Sequence, residues 1–165
     1  MHLLYLQVLF VLAVVPHLTE ASSLRHRRDV TQLGELIECQ TGRSAMDYIS
    51  YGCWCGIGGS EEPLDETDRC CRNHDLCYDE LYYSGVCEGM TMYTVQYSFL
   101  SIGPCPRGGP LNCSVDNNPC AMGLCRCDET VVNCFRDSPF QEKYKKYSRF
   151  IGCSTRKYLC SWFGC

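Results

Sequence analysis

Apolar positions along the chain fall into distinct patterns, and each pattern predicts a different element. Residues 3–15 (LLYLQVLFVLAVV) form a thirteen-residue apolar run. A bilayer span needs about 20 apolar residues, so this run is too short to cross one. It is followed by Thr19-Glu20-Ala21, whose small residues suit signal peptidase, and the pattern predicts a signal peptide over 1–21. Val30, Leu33, Leu36 and Ile37 recur at helical spacing and predict a short amphipathic helix over 30–39. The stretch 65–81 opens with acidic residues and meets neither Gly nor Pro before Gly85, which predicts a long helix. Asn118-Pro119 puts a proline in a first-turn position, and 118–136 contains no further breaker except Gly123, so a second long helix is expected there. Between the two, 91–100 (TMYTVQYSFL) is rich in Thr, Tyr, Val and Phe and runs into the turn-rich Gly103-Pro104-Cys105-Pro106. That reads as a small β-hairpin outside the helical core.

Composition adds a compartment. Sixteen of 165 residues are Cys, and the first is Cys39, after the apolar terminus. Such density belongs to secreted domains stapled by disulfides. No repeat or linker divides the chain, so one domain is expected. Arg25-His26-Arg27-Arg28 has the form that secretory-pathway convertases cut, which predicts a propeptide over 22–28 and a mature domain over 29–165 with a cysteine-containing tail. Removing the first 28 residues leaves 137, with 12 basic and 18 acidic side chains and a net charge of −6. An acidic surface of this kind excludes nucleic acid as the expected partner. Of the four histidines only His74 lies after Arg28, so any imidazole chemistry falls to it.

The chemistry concentrates in two segments. Tyr51-Gly52-Cys53-Trp54-Cys55-Gly56-Ile57-Gly58-Gly59 packs four glycines and two cysteines into nine residues, and His74-Asp75 follows inside the first long helix. A phosphate loop would want a Lys and an immediately following helix, and neither is present. Glycines instead let backbone carbonyls converge on a hard cation. Cys53-x-Cys55, Cys70-Cys71 and Cys125-x-Cys127 have spacings reminiscent of zinc sites, but in a secreted chain this rich in cysteine they read as disulfide halves.

With these residues in hand the sequence resembles secreted phospholipase A2 enzymes, in three motifs: the Y-G-C-x-C-G-x-G-G loop, Asp68-Arg69-Cys70-Cys71-Arg72-Asn73-His74-Asp75-Leu76-Cys77-Tyr78, and Cys125-Arg126-Cys127-Asp128. The likeness extends over essentially all of 29–153. It implies a mainly α fold of two long antiparallel disulfide-linked helices, a short amino-terminal helix, a calcium-binding loop and a small β-hairpin. The implied pairs Cys70–Cys134 and Cys77–Cys127 share one index sum, as antiparallel helices require. The other implied pairs are Cys55–Cys71, Cys39–Cys105, Cys87–Cys120 and Cys113–Cys125, and for the tail Cys53–Cys153 and Cys160–Cys165 are suggested. At about 100° per residue His74 turns towards the partner helix and Asp75 away from it.

The resemblance also implies an activity: calcium-dependent hydrolysis of the sn-2 acyl ester of glycerophospholipids at membrane or micelle surfaces, outside the cell, by a monomer. Carried over by motif, His74 is the general base for water and Asp128 sets its tautomer and orientation. One Ca2+ ion would be held by Asp75 and the backbone carbonyls of Trp54, Gly56 and Gly58. Tyr78, Tyr97 and Gln32 match a supporting hydrogen-bond network, and Leu33, Ile37 and Tyr48 match the apolar channel for acyl chains. Val30, Leu36, Ile57 and Trp54 are candidates for a membrane-contacting rim, and Trp162 and Phe163 for binding zwitterionic lipid. The resemblance leaves room for a cell-surface receptor as a further partner.

The short connection from Cys39 to Tyr51 and the propeptide resemble the group X kind, yet Leu76 stands where that kind carries an extra cysteine. The segment from Tyr97 to Cys105 is longer than usual, and Asn112-Cys113-Ser114 carries a glycosylation pattern whose middle residue is a bridge half. The rival reading is a non-catalytic relative that uses the same scaffold for protein contacts. Intact His74, Asp75, Asp128, Gly56 and Gly58 favour the enzyme.

Overall fold

The computed structural model describes residues 23–25, 30–101, 109, 111–148 and 152–153. Three helices dominate: α1 (Val30–Thr41), α2 (Glu66–Tyr83) and α3 (Pro119–Asp137). Their ends have local causes. At the start of α2 the Asp65 carboxylate accepts from the Asp68 N–H, and at the start of α3 the Asn118 side chain accepts from the Ala121 N–H, with Pro119 in the first turn. Each satisfies an amide that the helix leaves without a partner, worth about 1 kcal/mol. Past α2, Gly85 takes φ +73°, which reverses the chain.

The helices differ in how they are held. α3 buries Leu124, Val131, Val132 and Phe135 and forms the spine of the core. α1 packs on α3 and, through Gly34 and Glu38, on the short 3-10 turn Ala45–Asp47; Leu36 and Ile37 are both buried. This removes Leu36 from the membrane rim expected of it; the side chain of Val30 lies outside the described residues. α2, by contrast, buries only Thr67, Asp68, Cys70 and Cys71. Covalent ties substitute for apolar burial: Cys70–Cys134 and Cys77–Cys127 join it to α3 with Cα atoms 5.8 and 5.9 Å apart. At Gly123 the helices come close, since a Cβ there would lie 2.4 Å from a Leu81 methyl carbon.

Further bridges are Cys53–Cys153, Cys55–Cys71, Cys87–Cys120 and Cys113–Cys125. They agree with the pairing expected from the sequence. Cys39 is also bridged, whereas Cys105, Cys160 and Cys165 lie outside the described residues. The signal segment, Trp162 and Phe163 lie outside them too.

The sheet differs in detail from the hairpin read over 91–100. Gly89–Tyr93 forms a 3-10 turn, prolonged by Thr94 and Val95 amides that both donate to the Thr91 carbonyl. Strand structure begins only at β2 (Phe99–Ser101), which pairs antiparallel with β3 (Asn112–Cys113), Phe99 opposite Cys113. Asn117 extends the ladder by imitating a strand: its Oδ1 accepts from Ser98 N–H (2.7 Å) and its Nδ2 donates to Ser98 O (2.8 Å). On the other edge of β2 lies β1 (Ser23–Arg25), from the segment read as propeptide. Propensity marked the right region, but a register between residues this far apart in sequence is set by tertiary contacts.

Candidate active site

His74 and Asp128 come from facing helices that two disulfides clamp in register. His74 Nε2 lies 2.7 Å from Asp128 Oδ1. The Asp128 side chain is 3 % exposed and that of His74 14 %, so the pair is sheltered while the imidazole keeps an opening. Tyr78, one turn beyond His74, donates to the same Oδ1 at 2.9 Å and lays its ring against the imidazole, centroids 4.4 Å apart. Tyr97 donates to Oδ2 at 2.6 Å. Burial first, then the Asp128 charge, raises the pKa of both phenols well above the usual tyrosine value, which keeps them protonated as donors.

The network reaches back to α1. Gln32, buried, donates from Nε2 to Tyr97 O (2.8 Å) and accepts from Tyr97 N–H (3.3 Å). Four of the residues read from the motifs, His74, Asp128, Tyr78 and Tyr97, thus meet at one carboxylate, and Gln32 fixes the backbone that carries Tyr97. Chemically, a carboxylate accepting at Nε2–H stabilises one imidazole tautomer and leaves the Nδ1 lone pair to take a proton.

The glycine loop is organised by a residue to which the sequence reading gave no role. Asp68, fully buried at the start of α2, accepts from the N–H groups of Cys53 (2.9 Å), Trp54 (2.8 Å) and Leu64 (2.8 Å). Gly52 explains the close approach: at φ +57° a Cβ there would lie 2.3 Å from the Asp68 carboxyl carbon. The aspartate that opens the helix motif was the available signal. Asp65 anchors the same corner, accepting from Tyr51 Oη (2.6 Å) and Gln141 Nε2 (2.9 Å).

Gly56 and Gly58 take φ +109° and +68°, conformations open to glycine. Within the loop the carbonyls of Tyr51, Cys53 and Cys55 accept turn hydrogen bonds from the N–H groups of Cys55, Ser60 and Ser50. The Cys55–Cys71 bridge, Cα atoms 5.0 Å apart, fastens the loop to the helix that carries half-buried Asp75. Among the described residues no three His, Cys, Asp or Glu side chains cluster to hold a metal. A donor set of main-chain oxygens plus one carboxylate needs no such cluster, and oxygen-only donors fit calcium.

The residues read as channel lining are distributed differently. Ile37 and Tyr48 are buried and Leu33 is partly buried against the core. Tyr48 stacks on Phe135 (centroids 4.2 Å) and meets Phe140 edge-on. It borders a cavity of about 190 Å³ also lined by Gln40, Thr41, Arg43, Arg136 and Ser138. Ile57, in the glycine loop, is fully exposed, as a membrane-contacting position requires. Near the carboxyl end Lys145 pairs with Asp47 at 2.7 Å and Lys143 lies over the Tyr144 ring.

Residues 30–145 match the family model described as phospholipase A2. The chain is 40 % identical over 119 residues to the acidic phospholipase A2 KBf-grIB of Bungarus fasciatus, covering 70 % of this chain and 80 % of that one. It is 36 % identical over 141 residues to the membrane-associated phospholipase A2 of Mus musculus, covering 84 % and 90 %. A third relative, 37 % identical over 140 residues and covering 82 % and 89 %, is the acidic phospholipase A2 homolog taipoxin gamma chain of Oxyuranus scutellatus scutellatus.

Proposed function

The chain belongs to the phospholipase A2 family, and on that premise we propose that it is a secreted, catalytically competent member, hydrolysing the sn-2 acyl ester of glycerophospholipids at a lipid surface. The observation that carries this reading is the 2.7 Å contact between His74 Nε2 and Asp128 Oδ1, braced by two tyrosines. A non-catalytic relative has no need of a sheltered, oriented imidazole.

In this reading Asp128 holds the His74 tautomer with Nδ1 unprotonated. Nδ1 takes the proton from a water that attacks the sn-2 carbonyl carbon, and the imidazolium, stabilised by Asp128, returns a proton to the departing glycerol oxygen. The attacking oxygen comes from water, so no acyl-enzyme forms. Tyr78 and Tyr97 hold Asp128, and Gln32 holds Tyr97. Asp75 and the carbonyls of Trp54, Gly56 and Gly58 would hold one Ca2+ ion. When bound, it supplies a positive centre for the substrate phosphate and for charge developing on the carbonyl oxygen. Leu33, Ile37 and Tyr48 belong with the acyl-chain path, and Ile57 with the rim that meets lipid.

Disulfide density and the secreted character of the family support an extracellular site of action, following removal of residues 1–28. Among the described residues no helix is long and apolar enough to cross a membrane. The chain starting at Asp29, assayed on phosphatidylcholine vesicles labelled in the sn-2 chain, should release fatty acid in millimolar calcium and none in excess EGTA. Tight calcium binding without release would move the reading to a non-catalytic ligand.

A further inference from the structure

Trp54 is tied into the glycine loop on three sides. Its backbone N–H donates to Asp68, its indole Nε1–H donates to the Glu61 carbonyl at 3.0 Å, and its ring covers Gly59, where a Cβ would lie 2.2 Å from a ring carbon. Glu61 itself sits at φ +68°, a conformation that a non-glycine residue keeps only when its surroundings hold it. From α2, Arg72 reaches the loop at two separate points. Its guanidinium carbon lies 5.7 Å from the centroid of the Trp54 ring, and its Nη1 lies 3.9 Å from Glu62 Oε2.

Those two contacts flank the segment 56–60, in which Gly56, Ile57, Gly58 and Ser60 are exposed. An exposed, glycine-rich segment resists ordering, at about 1–2 kcal/mol per residue. The Cys55–Cys71 bridge restrains one end of it. Asp68 of α2 holds Leu64 beyond the other end, and Arg72, adjacent to Cys71 and two residues before His74, adds a second contact from α2 there, to Glu62, together with one to the Trp54 ring.

We propose that Arg72 is a positioning residue of the calcium loop: by contacting Trp54 and Glu62 it helps keep 56–60 in one shape for the Trp54, Gly56 and Gly58 carbonyls that would hold the ion. Ion binding then does not have to order the segment, and calcium affinity rises. The inference rests on the calcium site proposed above. It also carries a sign that separates it from electrostatics. Arg72 is a cation close to a cation site, so through charge alone its removal would strengthen calcium binding or leave it unchanged; through positioning its removal weakens binding.

The test uses the disulfide-intact chain with Trp162→Phe, in which Trp54 is the sole indole, titrated with calcium chloride by tryptophan emission and by calorimetry. Arg72→Gln should weaken calcium binding about two- to fivefold, in line with an exposed cation–π contact. Activity should be regained at higher calcium, the melting temperature should hold, and Arg72→Lys should recover part of the affinity. Arg69→Gln, one turn earlier and paired with Glu66 instead, should not weaken binding. Trp54→Phe, which loses the bond to Glu61 and is followed by calorimetry alone, should weaken it at least as much as Arg72→Gln. Unchanged or tighter binding in Arg72→Gln overturns the proposal, as does an equal loss in Arg69→Gln or a loss that tracks the melting temperature. Asp75→Asn should abolish binding, and wild-type affinity in that variant would overturn the calcium site itself rather than the role of Arg72.

Discussion

Asp128→Asn isolates the role of the carboxylate beneath the imidazole proposed as the general base. In the wild type Oδ1 accepts from His74 Nε2 at 2.7 Å and from Tyr78 at 2.9 Å, while Oδ2 accepts from Tyr97 at 2.6 Å. The substitution changes almost no volume, and the disulfides on either side hold the two helices in place. What changes is charge and donor sense. If the amide oxygen faces His74, the imidazolium formed during the reaction loses a charge-assisted hydrogen bond. If the amide nitrogen faces it, Nε2 becomes the acceptor and the proton moves to Nδ1, where the base should be. A hydrogen bond to a charged group contributes about 1.5–3 kcal/mol. At about 1.4 kcal/mol per decade this is roughly a 10- to 150-fold loss in kcat, with the tautomer shift adding to it. The assay is initial-rate fatty-acid release at saturating calcium, with 15N NMR of His74 to read the tautomer. A variant within twofold of wild-type kcat would falsify the assignment of Asp128 as the group that orients the base.

Three further perturbations probe the surroundings. Tyr51, Tyr78 and Tyr97 all have raised pKa values in the fold relative to 10.0 in the unfolded chain, so their contribution to stability is complete below pH 10 and is lost as pH rises towards the folded values; denaturant unfolding above pH 10 should therefore show falling stability, by up to about 1.4 kcal/mol per pH unit for each phenol, and Tyr97→Phe should remove about one proton from that slope. Gly52→Ala drives a methyl into the Asp68 carboxylate at a left-handed φ, and should cost about 3 kcal/mol or more in chemical denaturation and weaken calcium binding; a loss under 1 kcal/mol would contradict the tight corner. Replacing Cys77 and Cys127 by Ser should lower stability by about 2–4 kcal/mol and kcat more than Cys87/Cys120→Ser does, because the first bridge sits beside the His74–Asp128 pair; equal effects on kcat would count against that view.

The helices were legible because their signals are local. Asp65 and Asn118 cap them, no breaker stands between Asp65 and Gly85 and only Gly123 between Pro119 and Ser138, and the bridges that the resemblance implies are consistent with an antiparallel pair. The His74–Asp128 pair was legible through the motif resemblance, and helical geometry with the two bridges it implies put the two residues within reach of each other; the structure places them 2.7 Å apart. Elsewhere the determinants were long-range. The strand pairing of Phe99 with Cys113 depends on Asn117 supplying a side chain in place of a backbone, which no alternation pattern reveals. Leu36 lies on the edge of the apolar stripe of α1, where periodicity alone does not separate core from rim; in the fold it is buried. Asp68 carries no pattern beyond its place in the motif; its importance comes from three amides of a loop that folds back onto it.

The most direct test of a water-activating His74 in a phospholipase A2 is mass spectrometry of the products from phosphatidylcholine vesicles with different acyl chains at sn-1 and sn-2. The chain starting at Asp29, in millimolar calcium, should release only the sn-2 fatty acid and leave the sn-1 lysophospholipid, and His74→Gln should release neither. Release of both chains, or undiminished release by His74→Gln, would contradict the account.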